Sequence, residues 1–359
     1  MNERILRVGV DAWNLPGDRR GIGRYLRALL DVWDEAFADR IAVTLVVPEW
    51  HTWTVARRYR RETRNRRYAI RSRRLHTRAS LDLLWFPFNG PSWSEFTLPA
   101  VATLHDASTF ALEGFDETAR ASFRAAARTC AHIITDSSFS RHELARVLDL
   151  APERITAIAL GVSPPRAPAR VAPDPASFGR FALFVGESER RKGLDTLVAA
   201  LARLAGDDCP LALVVVGTIA DPIPHRDEIP IHVLGHVDDA TLAALYRSCS
   251  VFVYPSRYEG FGLPVLEAMS YGAPVVASSA AAIPEAGAEA AIYAPPGDEA
   301  AFAAQIRRVL AEPGLADSLR AAGYERARYM TWRRTAERTL EIFERVAGAA
   351  DAPGGRALG

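Results

Sequence analysis

Cysteine is scarce: Cys130, Cys209 and Cys249 are the three in 359 residues, and they lie far apart. They form neither a disulfide framework nor a CxxC metal pair, so reduced thiols in a cytoplasmic protein are expected. Net charge is almost absent. Lys and Arg total 44 against 43 Asp and Glu, a formal charge of +1, without the positive excess of a nucleic-acid binder. No run of about 18 apolar residues occurs, so no transmembrane helix is expected. The most apolar stretch, 273–296, is broken by Pro274, Pro284, Glu285 and Glu289. Nor is a signal peptide expected, since Met1-Asn2-Glu3-Arg4 runs straight into the strand-like ILRVGVDAW. His132, His142, His232 and His236 have no partners at metal-ligand spacing.

What is present is globular. The chain is 49% hydrophobic and 24% charged, which excludes wholesale disorder and fibrous repeats. At roughly 150 residues per domain the length points to two domains. Short apolar runs alternate with amphipathic stretches. Strands are expected at 5–12, 41–47, 82–87, 99–104, 132–136 and 155–160. These runs are continuous rather than alternating, the pattern of strands buried on both faces of a parallel sheet. Helix 21–38 carries Ile22, Leu26, Leu29, Leu30, Trp33 and Phe37 at helical spacing. Helix 138–148 contains Ser140 and Glu143, which fit a capping box.

A Pro-rich stretch, 163–179, interrupts this alternation and reads as a linker. Strands then recur at 181–186, 211–217, 231–234, 251–254 and 274–277. Helices are expected at 193–204, 239–248, 264–271, 299–311, 314–329 and 332–347, before a frayed tail at 350–359. The fold class is therefore α/β, with two doubly wound halves. Such sheets bind ligands at the carboxyl ends of their strands, and two facing each other would make a cleft.

Three segments carry the chemistry. Gly21 and Gly23 sit at a strand-to-helix junction, where glycines let an anion approach a helix N-terminus. The third glycine of the dinucleotide fingerprint is missing, since Leu26 stands there, and no Walker Gly-Lys-Ser/Thr follows. A plain turn explains this junction equally well. Gly186-Glu187-Ser188-Glu189-Arg190-Arg191-Lys192-Gly193 places three cations between a strand and a helix, suited to a diphosphate or simply to a solvated turn. In Glu259-Gly260-Phe261-Gly262-Leu263-Pro264-Val265-Leu266-Glu267, a Gly-Phe-Gly turn feeds a helix with Pro264 in its first turn. Free N–H groups there can hold a phosphate, and the flanking carboxylates can accept sugar hydroxyls.

Glu259 and Glu267 form an E-x7-E pattern within EGFGLPVLE, which resembles the donor site of family 4 retaining glycosyltransferases of the GT-B fold. GIGRY, ATLHD, IITDSSFSRHEL, ALGV, RKG and Met330-Thr331-Trp332 follow in the family's order, so the resemblance spans roughly residues 5–347. It implies two Rossmann-like domains facing across a cleft. Residues 1–168 would be the acceptor-side domain and 169–330 the nucleotide-sugar domain. Residues 331–359 would be a helix crossing back, plus the tail.

It also implies roles. Glu267 would take the ribose and Glu259 the donor sugar, with backbone N–H groups of Gly260, Phe261, Gly262 and Leu263 contacting sugar and phosphate. Arg191 and Lys192 would stabilise the departing diphosphate in place of a metal, so neither metal nor cofactor is expected. Gly21 and Gly23 would close on the diphosphate, and His105 would sit at the reaction centre. Asn89 and Asp106 would lie on the acceptor side. One departure is plain: many members carry Arg directly after the strand-end glycine, whereas Glu187 follows Gly186 here. The RKG turn resembles a mannosyltransferase subgroup and favours GDP-mannose as donor, with a polysaccharide or lipid-linked glycan as acceptor. A sugar-nucleotide epimerase or hydrolase on the same scaffold, and a non-catalytic nucleotide-sugar-binding subunit, remain alternatives.

Residues 57–78 contain 11 arginines and one acid, Glu62. They suit a solvated basic loop, peripheral docking to an anionic inner-membrane surface, or, third, binding of a polyanionic acceptor or RNA. Tyr59 and Tyr68 are too few for base stacking, so no nucleic acid is expected.

Overall fold

A computed structural model describes residues 4–18, 21–48, 53, 57, 68–74, 80–115, 117–163, 173–206 and 209–351. Most of the Arg-rich segment (58–67 and 75–78), the middle of the Pro-rich linker (164–172) and the tail from 352 lie outside the described residues. The chain divides into two compact units. One comprises Met1–Leu160 with Trp332–Gly359, the other Gly161–Thr331.

Among the described residues, the first unit holds a seven-stranded sheet. Its strands are β1 (Leu6–Asp11), β2 (Ile41–Val47), β3 (Ala69–Ser72), β4 (Leu83–Phe86), β5 (Ala100–Thr103), β6 (His132–Thr135) and β7 (Ile155–Ala157). They run in the order β3-β2-β1-β4-β5-β6-β7, and every pairing is parallel. Helices α1 (Gly21–Ala36), α2 (Glu117–Thr129) and α3 (Ser138–Leu148) belong to the same unit. The continuous apolar runs are explained: β4, β5 and β6 are buried along their whole lengths.

The second unit holds a six-stranded parallel sheet of β8 (Phe181–Val185), β9 (Ala212–Val216), β10 (Ile231–Gly235), β11 (Val251–Tyr254), β12 (Val275–Ser278) and β13 (Ile292–Ala294), in the order β10-β9-β8-β11-β12-β13. Its helices are α4 (Leu194–Gly206), α5 (Asp239–Ser248), α6 (Leu263–Ser270), α7 (Glu299–Ala311) and α8 (Leu315–Tyr329). Each sheet reverses its strand order once, between β1 and β4 and between β8 and β11. At such a reversal the loops after two neighbouring strands leave toward opposite sides and open a crevice.

The chain then returns to the first unit as α9 (Trp332–Asp351). The buried stripe of α1 (Tyr25, Leu26, Leu29, Leu30 and Trp33) meets it. Trp33 Nε1–H donates to the Ala336 carbonyl at 3.0 Å. Trp33, Trp85 and Phe343 cluster with ring centroids 5.5–5.7 Å apart. The Arg40 and Arg333 guanidiniums both lie over the Phe37 ring, 5.7 and 5.4 Å from its centroid, and Arg40 reaches both oxygens of Glu344. No helix among the described residues is long and apolar enough to cross a membrane.

One expectation needs correction. The N-cap of α3 is Ser137, whose extended backbone lets its Oγ accept the Ser140 N–H at 3.0 Å. Ser140 is already inside the helix, and Glu143 pairs with Arg146 instead of capping.

Candidate active site

In the second unit, the loops after β8 and β11 flank the switch point. Residues 190–192 form a single 3-10 turn closed by Gly193 at φ +69°. This left-handed position lies so near Pro255 that any Cβ would overlap the Pro255 carbonyl, so only glycine fits. The Arg257 N–H donates to Arg191 O at 2.7 Å, and the Arg257 guanidinium bonds both oxygens of Asp195 at 3.0 and 2.8 Å. The cationic turn is thus fastened to the loop after β11 before any ligand arrives.

That fastening brings Arg191, Lys192 and Glu259 together. Lys192 Nζ donates to Glu259 Oε1 at 2.7 Å and lies 5.7 Å from the centroid of the Tyr254 ring. Arg191 Nη1 is 3.5 Å from the same oxygen, and its Nε donates to Glu189 Oε2 at 2.7 Å. Burial pushes the Glu259 carboxyl up, but the charges of Lys192 and Arg191 outweigh it and hold Glu259 below its usual range. Burial, reinforced by the Glu259 charge, lifts the Tyr254 phenol well above normal, so it stays neutral.

The loop continues through Gly260 and Phe261 to Gly262, the N-cap of α6 at φ +103°. Leu263 and Pro264 open that helix; Pro264 has no N–H and the Val265 N–H donates to Gly262 O at 3.0 Å, which leaves the Leu263 N–H at an end whose dipole favours an anion. Glu267 stands one turn further in and is buried. Fixed cations on one loop, with the helix start and carboxylates on the loop fastened to it, can receive a polar ligand bearing both phosphate and hydroxyl groups.

The first unit holds the other expected residues. Gly21 opens α1, and Gly23 packs against the Asp18 carbonyl where a Cβ would overlap. Arg27 fastens this junction by donating to Asp18 O at 2.6 Å and Leu15 O at 2.7 Å. Asn89, His105 and Asp106 come together beyond β4 and β5. The His105 N–H donates to Asn89 Oδ1 at 2.9 Å, and Asp106 Oδ1 accepts the Ser108 N–H at 2.8 Å. Asn89 itself is held at φ +57°, an uncommon conformation concentrated at functional sites.

Sequence reasoning missed two partners. Asp136 Oδ2 lies 2.8 Å from His105 Nδ1, a pairing across 31 residues that no local spacing announces. Glu189, two residues from Arg191, was visible only as part of a charged turn. A further sign was countable: Lys192 is the only lysine in the chain, every other basic position being Arg. Among the described residues, no group of three or more His, Cys, Asp or Glu side chains is arranged to hold a metal ion.

Comparison with known proteins bears on this geometry. The family described as glycosyl transferases group 1 matches residues 179–312, which contain the whole β8–α6 cluster. O-antigen chain mannosyltransferase B of Escherichia coli is 32% identical over 291 residues, covering 72% of this chain and 74% of that protein. Among solved structures, sucrose-phosphate synthase from Thermosynechococcus elongatus superposes with a TM-score of 0.72 at 20% identity, covering 96% of this chain and 100% of that one. The Anabaena protein HepE, solved with UDP-glucose, gives 0.68 at 16% identity, covering 95% and 100%. The likeness to these two structures is one of fold.

Proposed function

The chain belongs to the group 1 glycosyltransferases, and from that premise we propose that it moves a hexosyl group, with mannose favoured, from a nucleoside-diphosphate donor to a glycan hydroxyl. GDP-mannose is the favoured donor, and the acceptor is a polysaccharide or lipid-linked glycan. The observation that carries this reading is the ion cluster of Arg191, Lys192 and Glu259 beside the N-terminus of α6.

In the reaction the bond from the anomeric carbon to the diphosphate breaks, and a bond to the acceptor oxygen forms with retained configuration. The acceptor's proton passes to the departing phosphate. Negative charge grows on the diphosphate, and Arg191 with Lys192 stabilises it without a metal ion, the kind of preorganised electrostatics that contributes most to catalysis. Glu259 takes donor-sugar hydroxyls and Glu267 the ribose. The amides of Gly260, Phe261, Gly262 and Leu263 take sugar and phosphate oxygens. Gly21 and Gly23 admit the diphosphate, His105 adjoins the donor sugar, and Asn89 and Asp106 serve the acceptor. This reading places the enzyme in the cytoplasm, with the Arg-rich segment 57–78 contacting an anionic membrane surface.

The test is a thermal-shift panel of UDP, GDP, ADP and their sugars without added metal, on wild type and Glu267→Ala. One nucleotide series should raise the wild-type melting temperature and fail to raise that of the variant. Equal shifts in both proteins, or none in either, would overturn the site.

A further inference from the structure

Nothing apolar anchors the cationic turn 190–192. None of its residues is buried, and Glu189, its N-cap, makes no side-chain cap bond. Two hydrogen bonds close the turn, Lys192 N–H to Glu189 O at 2.8 Å and Gly193 N–H to Arg190 O at 3.3 Å. Such short 3-10 pieces have poor hydrogen-bond geometry and take their position from what surrounds them. Yet Lys192 must reach from the loop after β8 to Glu259 on the loop after β11, 67 residues on. A slip of about 1 Å between the loops carries an N–H···O contact out of hydrogen-bonding range.

Two polar clamps set the position of the turn. On one side, Asp221 Oδ2 accepts the Arg190 N–H at 2.7 Å. On the other stands Arg257, two residues before Glu259. Its N–H holds Arg191 O, and its Nη1 donates to Arg190 O and to Asp195 Oδ1 at 3.0 Å. Its Nη2 donates to Asp195 Oδ2 at 2.8 Å and to Thr196 Oγ1 at 3.1 Å. Four guanidinium N–H bonds thus tie the turn, the first turn of α4 and the β11 loop to one another. None of them reaches the side chain of Arg191, Lys192 or Glu259. Burial pushes Asp195 up, but the hydrogen bond and charge of Arg257 outweigh it and hold the carboxyl below its usual range.

Stability does not account for this investment. The Arg257 and Asp195 side chains are 33% and 50% exposed, and an ion pair so open to water contributes little. Register does account for it: a planar fork fixes direction at several acceptors, which the point charge of a lysine cannot do. We propose that Arg257 is a positioning residue, whose guanidinium locks the 190–192 turn against the β11 loop so that Lys192 and Arg191 stand on Glu259 before any ligand binds. Its effect on turnover rests on the glycosyltransferase reading; its effect on Lys192 does not.

The experiment acetylates the full, ligand-free chain with N-acetoxysuccinimide and follows Lys192 by mass spectrometry. Arg257→Ala should speed its labelling roughly two- to tenfold, the factor equivalent to one net hydrogen bond. Its melting temperature should fall by no more than about 4 °C. Arg257→Lys should behave like Arg257→Ala, and Arg320→Ala, which breaks an exposed pair on α8, should label like wild type. Should Arg257→Ala melt far lower than that, Asp195→Asn decides: it weakens the clamp from its other end, leaves both loops intact and should move the rate the same way. With GDP-mannose and α-mannobiose, Arg257→Ala should lower kcat roughly 10- to 100-fold, the cost of misplacing a reacting group by about 1 Å. The donor KM should change less than about threefold. Wild-type labelling rates in Arg257→Ala and Asp195→Asn overturn the proposal, and so does full rescue by Arg257→Lys, which would make charge alone sufficient. Failure of the transferase reading shows separately, as a wild type that transfers no sugar while Lys192 labelling still responds to Arg257.

Discussion

Replacing Asp136 by Asn removes a charge from His105 while keeping a side chain of the same shape. His105 Nε2 lies 2.9 Å from the Pro87 carbonyl, which can only accept, so Nε2 carries a proton. Nδ1 faces Asp136 Oδ2 at 2.8 Å with a second proton between them. Burial pulls the imidazolium down, but the charge and hydrogen bond of Asp136, then Pro87 and Asp106, outweigh it, and the net direction is up. Burial lifts Asp136 as well, so the pair holds its shared proton from both sides. Both ring nitrogens are thus engaged, Nε2 by Pro87 and Nδ1 by Asp136, an arrangement that suits a fixed donor rather than a general base. A raised folded value stabilises the protein fully below the unfolded histidine's value of about 6.5. That stabilisation is lost as pH rises through the higher folded value. With Asn at 136 the counter-charge is gone and the ring stays neutral with Nε2–H in place. The loss is that of one charge-assisted buried hydrogen bond, about 1.5–3 kcal/mol. Urea unfolding across pH 5.5–8.5 should show the full gap at the acid end, narrowing above the folded value. Nitrogen NMR of the histidine rings should find the wild-type His105 ring titrating above the ordinary histidine value. A wild-type ring titrating at or below 6.5, or two proteins equally stable at every pH, would refute the reasoning.

Other perturbations test the donor side. Glu259→Gln leaves two cations around a carboxamide and should lower stability by about 3–5 kcal/mol. Glu259 is held low, so its contribution is present above the usual 4.5 or so and fades as pH falls through the folded value, where urea midpoints of variant and wild type should converge. Lys192 is the only lysine side chain an amine acylating reagent can find, so mass spectrometry reads it without ambiguity. Nucleoside diphosphate should slow its labelling, and an unchanged rate at saturation removes Lys192 from the site. Gly193→Ala combines a left-handed φ, costing about 1–2 kcal/mol, with overlap on Pro255. It should lower the melting temperature and abolish the nucleotide shift, whereas a wild-type melting curve would show that the turn tolerates a side chain.

The parallel sheets were legible because strands buried on both faces write themselves as unbroken apolar runs. Elements lacking that signature were not. Strand β3 is an edge strand of four residues, Ala69–Ser72, inside an arginine-rich stretch, and its backbone pairing with β2 carries it. Strand β13, also at an edge, is three residues long. Helix α2 fully buries only Phe123 and Ala126, so its stripe is made mostly of alanine with a single large apolar side chain. In the second unit the motif residues that come together were readable because turn, cations and helix start lie in two short contiguous segments. On the other unit, Asp136 meets His105 and Ser92 meets Asp11 across 31 and 81 residues, and only the folded sheet makes neighbours of them.

The donor cluster also implies a division of labour between its two cations. Lys192 is bound to Glu259, whose side chain is 12% exposed, whereas Arg191 is bound through Nε to Glu189, which is 38% exposed. An exposed ion pair is worth only about 0.2–1 kcal/mol, so an arriving diphosphate can redirect Arg191 far more readily than Lys192. On the proposed function, Lys192 would keep Glu259 ionised and in place for the sugar, while Arg191 would exchange Glu189 for phosphate. Glu189→Gln removes the competing charge and should tighten nucleoside-diphosphate binding by about 1.5- to 5-fold in calorimetry, the affinity equivalent of that pair. Weaker binding would mean the reverse: Glu189 orients Arg191 toward the phosphate rather than occupying it.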